Sequence, residues 1–193
     1  MAAILAGGQA RRFGGVDKGR IAVGGRSIRE RQLEVLRSVA DPVCLVGPRD
    51  RDGLPPGVLA IDDAVEGCGP LGGLDAALEV AGDATLLVLA CDMPCVTAPF
   101  LEYLAGLAIE ADVVVPRTER GYHPLCAAYS PACRPAVRRR LEARQLRMGD
   151  LLSDVRVRVV GPGEMARFGS GDYLLANVNT QAELDAIESF LSH

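Results

Sequence analysis

The chain has 193 residues, 49% of them apolar, and 25 acidic side chains against 21 basic ones. That length suits one domain with a substantial core, and the net charge of −4 argues against a nucleic-acid partner. No run approaches the ~18 uninterrupted apolar residues of a membrane helix, and glycines and arginines follow the first apolar residues too soon for a secretory signal, so a cytoplasmic protein with no membrane partner is expected.

Ala2–Leu5 reads as a short buried strand, followed by the run Leu5-Ala6-Gly7-Gly8-Gln9-Ala10-Arg11-Arg12-Phe13-Gly14-Gly15-Val16-Asp17-Lys18. Glycines let the backbone turn sharply and bring its N–H groups close to a ligand, while arginine and lysine supply positive charge for phosphate oxygens. The run lacks the glycine spacing of a dinucleotide-binding loop and the Gly-Lys pair of a P-loop. Residues 27–39 carry apolar positions at helical spacing (Ile28, Leu33, Val35, Leu36, Val39). Asp41-Pro42 breaks that helix, and Val43–Val46 is the next strand.

A Pro-, Gly-, Arg- and Asp-rich loop over 47–57 leads to a third strand, Val58–Ile61, which ends in Asp62-Asp63. Gly67-Cys68-Gly69-Pro70-Leu71-Gly72-Gly73 reads as a second glycine-rich turn before a helix over about 74–80. The most apolar strand, 85–91, stops at Asp92-Met93-Pro94 and is expected at the centre of the sheet. A helix over 99–107, a strand over 112–116 and a strand over 123–129 that returns to the sheet come next. A basic amphipathic helix over 131–141 and a short one over 148–152 precede an edge strand over 155–160, where apolar residues alternate with arginine. A helix over 183–191 closes the chain.

Continuous apolar strands alternating with helices predict an α/β fold, a single doubly wound, mostly parallel sheet with helices on both faces, spanning 1–193 as one domain. Ligands of such sheets bind beyond the carboxyl ends of the strands, and Gly7, Asp63 and Asp92 each directly follow a predicted strand. A carboxylate at the end of a buried strand needs a partner, and beside nucleotide phosphates Mg²⁺ is usually held by one or two carboxylates. Asp63 has two readings, an ordinary loop acid or an acceptor for a nucleobase edge or ribose hydroxyls. His123 could be a satisfied loop histidine, and Asn177-Val178-Asn179-Thr180 an Asn-rich turn; in an extended segment the two amides share one face. None of the six cysteines forms a C-x-x-C pair, so reduced, mostly buried thiols are expected.

These motifs, taken together and in order, resemble the molybdenum cofactor guanylyltransferases. The first run resembles that family's LAGG-x-x-x-R-[MF]-G-G-x-D-K signature; Gly69 to Gly73 resemble its G-P-L-x-G turn; Asp92, His123-Pro124-Leu125 and Asn177-Val178-Asn179-Thr180 resemble its C-D-x-P, H-P-L/T and N-x-N-T-P motifs. The departures are Phe13, the absence of proline in Gly25-Arg26-Ser27, Gln181 after the last motif, and no glycine before Arg147. The resemblance implies a Rossmann-like nucleotidyltransferase that moves GMP from GTP to molybdopterin or its molybdenum-loaded form, with Mg²⁺ as cofactor and pyrophosphate as leaving group. It implies Arg12 and Lys18 on the phosphates, Asp92 on the metal, and Leu5, Ala6, Gly7, Gly8, Asp63 and Gly69 about the nucleotide. His123, Asn177 and Asn179 fall to molybdopterin. Cofactor-delivery proteins and molybdoenzymes are the implied partners. The competing readings are a molybdopterin cytidylyltransferase, whose first loop typically has L-A-A-G in place of Leu5-Ala6-Gly7-Gly8, a sugar-1-phosphate nucleotidyltransferase, which usually runs longer, and a non-catalytic nucleotide-binding module.

Overall fold

The computed structural model describes residues 1–6, 17–47, 54–62 and 67–191. Its strands are β1 (Ala2–Leu5), β2 (Ala22–Val23), β3 (Arg26–Ser27), β4 (Val43–Val46), β5 (Val58–Ile61), β6 (Leu86–Ala90), β7 (Val113–Thr118), β8 (Gly121–Tyr122), β9 (Cys126–Tyr129) and β10 (Val157–Val160). Its helices are α1 (Ile28–Val39), α2 (Gly69–Ala81), α3 (Ala98–Leu107), α4 (Arg134–Glu142), α5 (Pro162–Met165), α6 (Gly171–Leu174) and α7 (Gln181–Leu191).

The main sheet has the order β10-β7-β9-β6-β1-β4-β5, with β8 paired to β7 beside it. β1 pairs in parallel with both β4 and β6, β4 with β5, and β10 with β7. Only β9 runs against its neighbours on that path, β6 and β7. The mostly parallel α/β architecture expected from the sequence is therefore the one found. Because strand side chains alternate between faces, Ala2 and Ile4 enter a core with Leu33 and Leu36 of α1 and Phe100 and Leu104 of α3. Ala3 and Leu5 enter the opposite core, with Leu71, Leu74 and Leu78 of α2 and Val137 of α4. β6, buried at all five positions, sits inside the sheet, as its composition requires.

The order places a switch point at β1. The chain leaves β1 through α1 to reach β4 on one side, and through α2 it reaches β6 on the other. α1 and α2 lie on opposite faces, so their connections diverge and leave a crevice at the carboxyl ends of β1 and β6.

Several elements differ from expectation. α2 begins at Gly69, not near residue 74: Pro70, in its first turn, removes only an N–H that has no helical partner there. Gly73 packs in ordinary van der Waals range of Leu5 and Val46, 3.4 Å from each for an added Cβ. The hairpin β2–β3 was not expected. Its two-residue turn is Gly24-Gly25 with φ 57° and 77°, both left-handed, which favours glycine and matches the twist of a tight hairpin. The strand expected over 123–129 starts only at Cys126, because residues 123–125 form a turn closed by Cys126 N–H donating to His123 O at 3.0 Å. The Tyr129 hydroxyl donates to Pro124 O across the same turn at 2.6 Å. α5 and α6 also had no counterpart in the sequence reading.

α1 starts with a capping box: Glu30 N–H donates to Ser27 Oγ at 3.2 Å, and Ser27 N–H to the Glu30 carboxylate at 2.8 Å. A small satellite core of Val23, Ile28, Val178 and Ile187 fastens the hairpin and α1 to the segment before α7.

At the β10 edge, Glu164 of α5 accepts from the Tyr103 hydroxyl of α3 at 2.6 Å and from Arg158 of β10 at 2.6 Å. The Arg158 guanidinium, then the Tyr103 hydroxyl, pull the Glu164 carboxyl down to about 2 from 4.5. A carboxyl depressed in the folded state stabilises above its unfolded value and loses that contribution as pH falls from about 4.5 towards 2. Glu164→Gln should therefore be less stable than wild type at pH 7, with the gap closing below pH 4.5. Urea unfolding at pH 7 and pH 3 measures it, and an equal gap at both would contradict the assignment.

Candidate active site

The site begins with a single turn of 3-10 helix, Lys18–Arg20, directly after the glycine-rich run. Asp17 caps it, its Oδ1 accepting from Gly19 N–H at 2.9 Å. Lys18 projects its ammonium towards β6, where Nζ lies 3.1 Å from Asp92 Oδ2 and donates to Asn179 Oδ1 at 2.5 Å. Two segments, 74 and 161 residues from Lys18 in sequence, thereby meet at its cation.

Asp92 follows β6 by two residues. Its side chain is only 13% exposed, and Oδ1 is buried with no hydrogen-bond partner among the described residues. Asp92 O accepts from Val178 N–H at 2.8 Å, which ties the strand end to the segment carrying the two asparagines. Asn179 N–H donates to Glu183 in the first turn of α7 at 2.7 Å, and Thr180 Oγ1 accepts from Glu183 N–H at 3.2 Å. Gln181 is simply the first residue of α7, so the missing proline leaves the helix start intact.

Beside this cluster lies a cleft of about 320 Å³, lined by residues that include Pro70, Met93, Tyr122, His123, Met148 and Asn177. Met93 adjoins Asp92 and Pro70 belongs to the first turn of α2, so the cleft borders both. His123 Nε2 is 2.8 Å from Thr118 Oγ1. Burial, and then the charge of Arg120, lower its pKa below the usual 6.5. Arg144 stands before Arg147 with φ 56°, so the left-handed turn that glycine would favour is kept by an arginine, whose guanidinium donates to Cys68 Sγ at 3.5 Å.

The sequence-derived residues divide as follows. Lys18 and Asp92 come together. Asn177 joins His123 in the cleft, whereas Asn179 contacts Lys18, so the two amides, expected on one wall, reach different parts of the site. Leu5 and Ala6 stand where the glycine-rich run begins, but the Leu5 side chain is buried among α2 residues and could meet a ligand only through its backbone. Gly69, φ 58°, opens α2. Gly7, Gly8, Arg12 and Asp63 lie outside the described residues. The cysteines are free, and burial pushes the Cys91, Cys126 and Cys133 thiols up to about 12, which keeps them protonated at neutral pH. No helix among the described residues is long and apolar enough to cross a membrane.

Sequence reasoning overlooked Asp17 as a cap, and Arg29 and Gln32 of α1. Gln32 is 2% exposed; its amide donates to Ala90 O at 2.7 Å and Met93 O at 3.0 Å. A signal was present: Gln32 is a polar residue within the stripe defined by Ile28, Leu33 and Leu36.

A lysine, a buried carboxylate and an amide gathered at the switch point of a mostly parallel sheet, beside an open cleft, define a ligand-binding α/β protein of the nucleotide-handling class. The sequence matches the MobA-like NTP transferase domain over residues 2–157, and the chain belongs to that family. It is 35% identical over 181 residues to a "Probable molybdenum cofactor guanylyltransferase" of Pelotomaculum thermopropionicum, covering 94% of this chain and 88% of that one. It is 30% identical over 187 residues to a "Molybdenum cofactor guanylyltransferase" of Desulfosudis oleivorans, covering 96% and 93%. The crystal structure of molybdopterin-guanine dinucleotide biosynthesis protein A from Archaeoglobus fulgidus superposes with a TM-score of 0.85 at 24% identity, covering 99% of this chain and 98% of that one.

The site's one titratable imidazole offers a direct check of the cleft. A base whose pKa is lowered by burial stays neutral in the folded protein at pH values where the unfolded chain takes up a proton. The chain has only two histidines, so the NMR titration of His123 should be resolved easily, with a midpoint below 6.5. A midpoint at or above 6.5 would mean that the ring is solvated or paired with an acid.

Proposed function

We propose that the chain transfers GMP from GTP to molybdopterin, or to its molybdenum-loaded form, and releases pyrophosphate. The observation that carries this reading is the Lys18–Asp92–Asn179 cluster at the β1–β6 switch point, with the cleft opening beside it. The relatives' names, which speak of a molybdenum cofactor and a guanylyl group, support this choice of substrates. On this reading the whole chain is one nucleotidyltransferase domain working in the cytoplasm, with cofactor-delivery proteins and molybdoenzymes as its downstream partners.

The reaction makes an O–P bond between the terminal phosphate of molybdopterin and the α-phosphorus of GTP, and breaks the bond to the β-phosphate oxygen. The attacking phosphate is already ionised, so the protein has to position the two phosphates and offset their charge. Lys18 serves as a point charge and Arg12 as a bidentate fork on the triphosphate. Asn179 fixes the Lys18 ammonium through its amide oxygen. Backbone groups of Leu5, Ala6, Gly7, Gly8 and Gly69 surround the nucleotide, and Asp63 accepts from guanine or ribose.

Asp92 suits Mg²⁺ on its own chemistry. Its buried Oδ1 is an acceptor without a partner among the described residues, and one carboxylate completed by phosphate oxygens is a usual magnesium shell. Magnesium held there would neutralise charge on phosphate oxygens. His123 and Asn177 line the cleft and receive the pterin substrate. His123, neutral near pH 7 and engaged with Thr118, can offer or accept a hydrogen bond without adding charge.

Incubation with each nucleoside triphosphate, Mg²⁺ and molybdopterin, followed by identification of the dinucleotide, tests the reading. GTP should exceed CTP and ATP in kcat/KM on the order of a hundred-fold, because polar groups placed for one base edge are left unpaired by another. Comparable values for CTP would point to the cytidylyl reading. Asp92→Asn, nearly isosteric, should keep the fold while turnover falls on the order of a hundred-fold. Wild-type turnover of Asp92→Asn at limiting Mg²⁺ would remove Asp92 from the metal.

A further inference from the structure

The Lys18–Asp92 pair joins two loops that no strand connects directly, yet one helix touches both. Arg29 and Gln32 are three residues apart on α1 and so share a face. Arg29, its side chain 12% exposed, pairs through Nη2 with Asp17 Oδ2, while Asp17 Oδ1 holds Gly19 N–H. Its guanidinium lies close across the turn: a Cβ on Gly19 would come within 3.2 Å of Arg29 Nε and Nη2. Arg29 therefore fixes the turn that aims Lys18.

Gln32 does the equivalent for Asp92. Its two amide hydrogens go to Ala90 O and Met93 O, the carbonyls on either side of the Cys91-Asp92 step, and Asp92 O is held from the other side by Val178 N–H. A glutamine 2% exposed on an apolar helix face carries a desolvation cost that a leucine would not. Its donors are spent on the two backbone atoms that bracket the site carboxylate.

We infer that α1 is a brace for the site, with Arg29 (through Asp17) and Gln32 acting as positioning residues that set the separation between the Lys18 ammonium and the Asp92 carboxylate. Their observed partners are protein atoms, Asp17 for Arg29 and Ala90 O and Met93 O for Gln32, which suits a positioning role. The inference rests on the reading of Lys18 and Asp92 as the phosphate and metal groups, but it adds residues which that reading does not use. Outer partners that orient ligating groups are worth about ten- to a hundred-fold in metal affinity or activity. Both residues act on the same pair, so removing one should leave less for the other to lose.

The test uses Gln32→Met and Arg29→Met, singly and together, in the full chain. Mn²⁺ binding in the presence of GTP, followed by electron paramagnetic resonance, reads the site without turnover; kcat and both KM values read it with turnover. Each single variant should bind Mn²⁺ with GTP about ten-fold or more weakly and lose kcat, with KM for molybdopterin within about two-fold of wild type. The double variant should lose less than the product of the two single losses. Lowered melting temperatures with Mn²⁺ binding and kcat unchanged would make both residues merely structural and overturn the inference. Should Gln32→Met fail to fold, Gln32→Glu, which keeps the shape but retains at most one donor, replaces it with the same expectation. If wild type binds Mn²⁺ and GTP but forms no dinucleotide, the proposed reaction fails while the brace is still judged on Mn²⁺ binding.

Discussion

A lysine ammonium 3.1 Å from a carboxylate is ordinary on a protein surface and contributes little there. Here both side chains are largely covered, 21% and 13% exposed, and the cost of removing each charge from water must be offset by its neighbours. Lys18 gains a second acceptor in Asn179, and Asp92 spends one oxygen on Lys18 while keeping the other buried and unpaired among the described residues. The cluster is therefore paired yet incomplete. It holds one cation and presents an acceptor for another, which is what the proposed binding of a triphosphate with a metal requires.

The architecture exists to bring those groups together. A parallel sheet sends its strand ends to one side, and the divergence of α1 and α2 about β1 opens the crevice there. Lys18 arrives from the loop after β1, Asp92 from the end of β6, and Asn179 from the segment that the satellite core of Val23, Ile28, Val178 and Ile187 anchors. The antiparallel β9 follows the turn carrying His123, which places the cleft next to the crevice. Positioning a nucleotide and a second phosphate in adjoining spaces is what a nucleotidyl transfer between them demands.

The parts of this arrangement that local rules govern were legible in the sequence. Apolar runs marked β1, β4 and β6, and the acid at the end of β6 stood out because a carboxylate there needs a partner. The order of motifs pointed to the family before any contact was known. Other parts depend on packing between distant segments. Glycines and a proline suggested a turn at Gly69 to Gly73, but they begin α2, where Pro70 is tolerated in the first turn and Leu71 and Leu74 are buried in the core. The alternation of Asn177, Val178 and Asn179 predicted a shared side; Val178 is buried in the satellite core, but which neighbour each amide meets is set by tertiary structure. Gln32 stands out only as a polar residue within the apolar stripe of α1 and Arg29 not at all, because nothing local reveals that their partners lie on the Lys18 turn and the Asp92 strand end.

The most direct measurement of the central claim is a crystal structure with Mg²⁺ and a GTP analogue whose α–β bridge is not cleaved. The account predicts phosphate oxygens against Lys18 Nζ, the metal on the Asp92 carboxylate, and the nucleoside near Gly69, with the cleft of His123 and Asn177 left open beside it. A triphosphate bound elsewhere, with Lys18 still paired to Asp92 and no metal on that carboxylate, would contradict it.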